Sequence, residues 1–160
     1  YDADDETTNL FAFYFQTVAV PAQRNFEDQD VIKGSILFKE INCTGCHTPK
    51  HITGVHDIQA LSNQTIFPYT DLLLHDMGED LADHRPTFQA NGFEWRTPPL
   101  WGIGLTQVVN PKATFLHDGR AKTIEEAILW HGGEAEASKE VFRTMNLQDR
   151  EALLSFLMSL

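Results

Sequence analysis

The sequence predicts an all-α fold in which short helices are joined by long ordered loops, and three observations support this. Apolar residues recur at helical spacing from Asp30 to Asn42. A second stripe with helical spacing ends the chain, at Leu153, Phe156, Leu157 and Leu160. Between Thr48 and Gly119 the alternation typical of strands is hard to find, and prolines recur. We therefore expect short helices and loops in this middle region.

Three longer helices are predicted from their boundary residues as well as from their apolar faces. The first spans Asp5 to Thr17, is rich in aromatic residues and ends before Pro21, because proline cannot continue the helical ladder. Its role is either packing or docking to another structure. The second is the helix from Asp30 to Asn42. The third follows Asn146, which can cap it, with Asp149 three residues further on.

The composition is that of one globular domain. The 160 residues are 42% hydrophobic and 22% charged, which suits a single core. A formal net charge of −11 with scattered Lys and Arg argues against binding to nucleic acid. No apolar run approaches the roughly 20 residues that cross a bilayer. We divide this single domain into residues 1–25, a helix and linker, and residues 26–160, the core.

The only two cysteines lie in one short motif, Cys43-Thr44-Gly45-Cys46-His47. This C-x-x-C-H pattern is the attachment motif of c-type haem, in which each thiol adds to a vinyl group and the histidine binds the iron. Chance gives this arrangement in roughly 5 of 10,000 cases. The motif therefore predicts one covalently bound haem c.

The cysteine pair has three alternative uses: a structural disulfide, a thioredoxin-like redox pair and half of a zinc site. A thioredoxin-like pair needs a βαβ context, and a zinc site needs further thiolates or a paired H-x-x-x-H; the sequence has neither. Covalent haem attachment takes place on the outer side of the bacterial inner membrane, as the resemblance to c-type cytochromes implies. We therefore expect a periplasmic protein.

Small c-type cytochromes cross their first and last helices near the haem, with a glycine for close approach and aromatic residues for packing. The resemblance assigns this crossing to Gly34, Phe38 and Phe156. It implies a cytochrome c-like domain with short helices and long ordered loops around one haem. The haem faces are then the expected burial place for the apolar residues of the loops, among them Phe67, Leu72, Leu73 and Leu74.

His47 occupies one axial position of the iron, so the residue on the opposite side decides the chemistry. Thr123 and Glu126 form a T-x-x-E capping box, and the apolar face of the helix that follows reaches His131. The glycines at 132–133 suit a left-handed helix end with room for a flat macrocycle. We favour His131 as the second ligand; the alternative is a hydrogen-bonded core histidine.

Met77 is the rival ligand, thirty residues after His47. Its thioether can bind iron, but its spacing from Leu73 equally suits a core residue. Two histidine ligands would give a lower reduction potential than a histidine and a methionine, because thioether ligation favours ferrous iron. The identity of the second ligand therefore predicts the potential.

Two further residues are predicted to bind the edge of the haem. His117 precedes the turn Asp118-Gly119 and holds either a loop or a haem propionate. Arg96 stands beside a stiff diproline, where its partner is either a propionate or a surface carboxylate. The remaining histidines are expected in structural or surface roles; they are His51, His56, His75 and His84.

Four further segments carry a resemblance to a known family. They are QTIFPYTDLLLHDMG from residue 64, WRTPPLWG from 95, FLHDGRA from 115 and WHGGEA from 130. Together they resemble the di-haem oxidoreductase, or thiol oxidoreductase, family, which is related to the bacterial di-haem cytochrome c peroxidases and to the di-haem enzyme that matures methylamine dehydrogenase. In those peroxidases a histidine-x-glycine turn is followed by a short helix ending in the axial methionine of the C-terminal haem. The same count from His117 reaches His131, so the resemblance also implies that His131 is a ligand.

That family carries two haem motifs on two cytochrome domains, whereas this sequence contains one motif, in what resembles the C-terminal domain. The resemblance therefore implies a redox partner, either another protein or a second haem domain upstream. In the relatives, peroxide is usually reduced at the other haem, while the C-terminal haem passes electrons to it. We expect an electron-transfer domain. The alternative is a haem peroxidase in which Glu134 or Glu136 transfers protons as a general acid–base group.

Overall fold

Six α-helices form the framework of the computed structural model, which describes residues 3–160. They are α1 (Asp5–Thr17), α2 (Gln29–Glu40), α3 (Thr106–Val109), α4 (Ile124–Leu129), α5 (Glu136–Thr144) and α6 (Leu147–Ser159). Single 3₁₀ turns lie between them, at Cys43–Gly45, Gln59–Leu61, Glu79–Leu81, Ile103–Leu105 and Gly133–Ala135. The three longer helices predicted from the sequence, α1, α2 and α6, are confirmed.

Two small antiparallel sheets correct the all-α prediction. Strand β1 (His51–Ile52) pairs with β2 (Thr65–Ile66), and β3 (Leu74–Asp76) pairs with β4 (Glu94–Arg96). In the second sheet His75 lies opposite Trp95. Strands of two or three residues are too short to show alternation in a sequence, because alternation has a period of two. The rest of the region from Thr48 to Gly119 consists of turns and short helices, as predicted.

The hydrophobic core lies where α2 crosses α6. A Cβ atom added at Gly34 would overlap the carbonyl oxygen of Ala152 and lie 2.7 Å from the Cβ of Phe156, so only glycine permits this crossing. The rings of Phe38 and Phe156 are both buried, with centroids 5.4 Å apart. The predicted roles of Gly34, Phe38 and Phe156 in joining the two helices agree with these contacts.

The helix starts are fixed by local capping bonds. The side chain of Asn146 accepts the N–H of Asp149 at 3.0 Å, as its position before α6 predicts. Thr123 accepts the N–H of Glu126 at 3.0 Å at the start of α4. The Glu126 carboxylate accepts the N–H of Lys122 rather than that of Thr123, so the predicted capping box is shifted by one residue.

Helix α1 forms as predicted, but none of its residues is buried. Its large apolar side chains are between 55% and 74% exposed, at Leu10, Phe11, Phe13, Tyr14 and Phe15. Within residues 3–160 the packing role is therefore wrong, and docking to another structure stays a prediction. Among the same residues, every helix is too short or too polar to cross a membrane.

Replacing Gly34 by alanine is expected to lower the free energy of unfolding by about 3 kcal/mol, because the new methyl group meets backbone that cannot yield. Thermal unfolding measures this. Gly54→Ala is the matched control, since a Cβ there meets nothing within 4 Å. Equal melting temperatures for the two variants would contradict the close crossing of α2 and α6.

Candidate functional site

The cysteine motif forms a tight turn directly after α2. Asn42 adopts a left-handed conformation, with φ of 65°, so the helix cannot continue through it. A single 3₁₀ turn, Cys43–Gly45, follows. The N–H of His47 donates to the carbonyl of Cys43 at 2.9 Å. This turn places both sulfur atoms and the imidazole at one end of α2.

The two thiols are free and half-buried, so the structural disulfide is not formed. Burial raises the pKa of Cys43 to about 12 and is also the main cause of the raised pKa of Cys46. A redox-active or metal-binding cysteine needs a lowered pKa, because the thiolate is the reacting form. Within residues 3–160 no group of three or more His, Cys, Asp and Glu side chains could hold a metal ion. The raised pKa values of the two thiols argue against a thioredoxin-like redox pair.

Two imidazoles, those of His47 and His131, meet at this end of the molecule. Their ring centroids are 6.5 Å apart and their planes are inclined by 44°. The Nδ1 of His47 donates to the carbonyl of Tyr69 at 3.0 Å, and the Nδ1 of His131 donates to the carbonyl of Ala127 at 2.7 Å. Because a carbonyl only accepts, Nδ1 carries the proton in both rings and Nε2 is the nitrogen left to bind a metal.

The geometry of the imidazole pair fits a haem iron. With metal–nitrogen bonds of about 2 Å and about 1.1 Å from each nitrogen to its ring centre, two axial imidazoles have centres roughly 6 Å apart. Burial lowers the pKa of His47 to about 4 and also lowers the pKa of His131. Both rings are therefore neutral near pH 7, which is the ligand form of histidine. A haem iron takes only two ligands from the protein, so no larger cluster is required.

The sequence predicts His131 on the apolar face of a helix. In the structure it lies just beyond the end of that helix. Helix α4 ends at Leu129, and the bond from Nδ1 to Ala127 turns the ring back towards the helix. Of the two glycines that follow, Gly133 is left-handed, with φ of 53°, and Gly132 is extended.

The two glycines allow a close approach to the backbone of residues 76–78, and their predicted place beside a macrocycle stays a prediction. A Cβ at Gly132 would lie 2.8 Å from the carbonyl oxygen of Met77, and one at Gly133 would lie 2.7 Å from the nitrogen of Gly78. The segment after His131 therefore packs directly against residues 76–78. Met77 is half-buried there, and its N–H donates to the carbonyl of Phe93 at 3.0 Å.

The residues predicted at the haem edge lie on or beside β4. Arg96 is exposed and has no carboxylate within 4.0 Å among residues 3–160, so the alternative of a surface ion pair is not formed there. His117 is exposed and stacks on Trp95, with ring centroids 3.5 Å apart. The Nε1 of Trp95 is buried and finds no acceptor within the described part of the chain. Binding of a propionate by Arg96 and His117 stays a prediction.

A charged cluster that the sequence analysis missed joins Asp71, His75 and Glu134. His75 donates from Nε2 to Asp71 at 2.8 Å and from Nδ1 to Glu134 at 3.0 Å. Carboxylates only accept, so both ring nitrogens carry protons; the bonds with Glu134 and Asp71 raise the pKa of His75. Glu136, the other predicted proton carrier, instead pairs with Lys139 at 2.6 Å. The partners of His75 lie four and 59 residues away, so the sequence holds no local signal for the cluster.

A family described as "Di-haem oxidoreductase, putative peroxidase" matches residues 1–160, the whole chain. No curated protein and no solved structure matches it.

Proposed function

The chain belongs to the di-haem oxidoreductase family, and we propose that it is a c-type cytochrome domain that transfers electrons through one haem. Cys43 and Cys46 would hold the haem covalently, and His47 and His131 would be its axial ligands. The 6.5 Å separation of the two imidazoles carries this proposal. The haem would supply one-electron exchange between ferric and ferrous iron.

The chemistry of the motif supports covalent attachment. Both cysteines are unpaired thiols on one turn, three residues apart, and the adjacent His47 is held by the carbonyl of Tyr69. Their raised pKa values keep the sulfur atoms protonated near neutral pH. The two thiols and the imidazole thus have the sequence order and the local fold that thioether attachment needs.

Two axial imidazoles suit an electron carrier better than an enzyme, because they leave no iron position for a substrate. The hydrogen bonds to Tyr69 and Ala127 fix the orientation of the rings and raise their basicity. We therefore expect a reduction potential below that of a site ligated by histidine and methionine.

Apolar side chains near the motif support burial of a flat apolar group. Leu72, Leu73 and Leu74 are about half exposed, and they follow Asp71, whose N–H donates to the carbonyl of Cys46 at 2.9 Å. Side chains of this size are costly to leave in water. Polar donors for the propionates lie on β4. They are the Arg96 side chain and the Nε1 of Trp95, which has no acceptor within residues 3–160.

The electron partner would be a second haem, in another domain or another protein, since the family is di-haem and this sequence has one motif. The net charge of −11 favours a basic or neutral partner surface. Covalent haem attachment by such a motif implies export, so we place the protein in the periplasm.

Replacing His131 by alanine is expected to convert a low-spin, six-coordinate ferric haem into a high-spin one, because the iron loses one strong ligand. Absorption and electron paramagnetic resonance spectra of the holoprotein measure this. Met77→Ala is the control and should keep the wild-type spectrum. A low-spin spectrum that survives in His131→Ala but is lost in Met77→Ala would transfer the second ligand to Met77.

Peroxide reduction is the second candidate function, because the family description names it and because Asp71, His75 and Glu134 supply acid–base groups beside the motif. Reduction of hydrogen peroxide to two waters takes two electrons and two protons, so it needs a reduced donor. We expect the holoprotein, pre-reduced and mixed with peroxide and a reduced donor, to turn over no faster than free haem. Faster turnover that is abolished in Glu134→Gln would favour the peroxidase.

A further inference from the structure

We propose that Asp71, His75 and Glu134 form a clamp that holds His131 against the haem motif and thereby keeps the sixth iron position closed. These three would be positioning residues, since they act on the iron only through His131. The inference rests on the proposed function, because it takes His47 and His131 as the axial ligands. It adds a reason why the second ligand stays in place.

Two residues of the clamp, Asp71 and His75, lie on a bridging segment, residues 69–78, that runs from one imidazole to the other. At its start, the carbonyl of Tyr69 accepts from the Nδ1 of His47 at 3.0 Å, and the N–H of Asp71 donates to the carbonyl of Cys46 at 2.9 Å. At its end, the backbone of residues 76–78 touches the glycines that follow His131. The bridging segment therefore contacts the surroundings of both imidazoles.

His75 ties the start of the bridging segment to the part of the chain just after His131. Its ring links Asp71, bonded through its backbone to the haem motif, with Glu134, three residues beyond His131. Glu134 also accepts the N–H of Asp76 at 2.9 Å. The side chains of His75 and Asp71 are only 14% exposed, while that of Glu134 is 55% exposed. The His75–Asp71 bond is therefore partly sheltered, and a charge-assisted bond in such a place is stronger than one between fully exposed side chains.

Apart from its backbone packing against residues 76–78, the segment that carries His131 has few restraints within the described part of the chain. It lies outside α4, and the glycines at 132–133 have no side chains to pack. The bond to Ala127 orients the ring but holds it only to its own helix. Glu134 adds a side-chain link from this segment to His75 and to the backbone of Asp76. Segments with few buried contacts open at low free-energy cost, so loss of the clamp should populate an open state.

The backbone of the bridging segment also depends on its contacts. Tyr69 and Leu72 both have positive φ, of 54° and 61°. Residues other than glycine rarely adopt this conformation, and it persists where surrounding bonds impose it. The hydroxyl of Thr70, which donates to the carbonyl of Thr97 and accepts the N–H of Leu72, is one such restraint. The segment is therefore held in a shape that it would leave if released.

The experiment uses the haem-loaded protein and carbon monoxide as the probe of an open sixth position. His75→Gln and Glu134→Gln each remove the ionic link, and the glutamine at 134 can still accept the N–H of Asp76. We expect each variant to bind carbon monoxide about tenfold faster in the ferrous state. The reason is that loss of one charge-assisted bond raises the population of the open state by about that factor. The ferric spectrum should gain a high-spin component. The double variant should add little to either single variant.

Matched controls separate the clamp from general charge effects. His84→Gln removes an exposed histidine that pairs with Glu79 at 3.2 Å, and Glu140→Gln removes an exposed pair with Arg143 at 2.7 Å. Both should bind carbon monoxide at the wild-type rate, and His131→Ala sets the upper limit. Melting temperatures of all variants show whether stability alone has changed. If His75→Gln fails to keep its haem, Glu134→Gln carries the test.

The outcomes distinguish the inference from the function on which it rests. A low-spin wild type whose His75→Gln and Glu134→Gln variants bind carbon monoxide at the wild-type rate overturns the clamp and leaves the ligation intact. A wild type that is high-spin, or that binds carbon monoxide as fast as His131→Ala, overturns the ligation and the clamp with it. Faster binding in the two clamp variants alone supports both.

Discussion

The approach of two imidazoles, His47 and His131, to a centroid distance of 6.5 Å is the arrangement on which the proposed function depends. The two residues are far apart in the chain, and each donates Nδ1–H to a backbone carbonyl, so Nε2 of each ring carries the lone pair. Burial keeps both rings neutral. This arrangement suits one iron between them and a pair of thioether links from the adjacent cysteines.

The helical core positions one half of this contact. Gly34 lets α2 and α6 touch, and Phe38, one turn further along α2, packs against both Phe156 and His47, with ring centroids 5.4 Å and 6.1 Å away. The motif turn then follows the end of α2 directly. The bridging segment positions the other half, since it joins the haem motif to the residues after His131. Packing thus holds His47, whereas hydrogen bonds and ion pairs hold the segment that follows His131.

The features that the sequence predicted are those with local signals. The Asn146 cap and the stripe of α6 are contained in one stretch of chain, as is the C-x-x-C-H motif. The strands are too short for a period of two to appear, and the position of His131 beyond α4 depends on backbone contacts with residues 76–78. The clamp depends on a partner 59 residues from His75. The strands, the position of His131 and the clamp are determined by such tertiary contacts, which local sequence patterns do not predict.

The intact mass of the mature protein, taken together with its absorption spectrum, tests the central claim most directly. A haem attached through Cys43 and Cys46 predicts a mass above that of the polypeptide by one haem, a Soret band that stays with the denatured chain, and no thiol open to alkylation. The mass of the bare polypeptide, two alkylatable thiols and no Soret band would contradict the account.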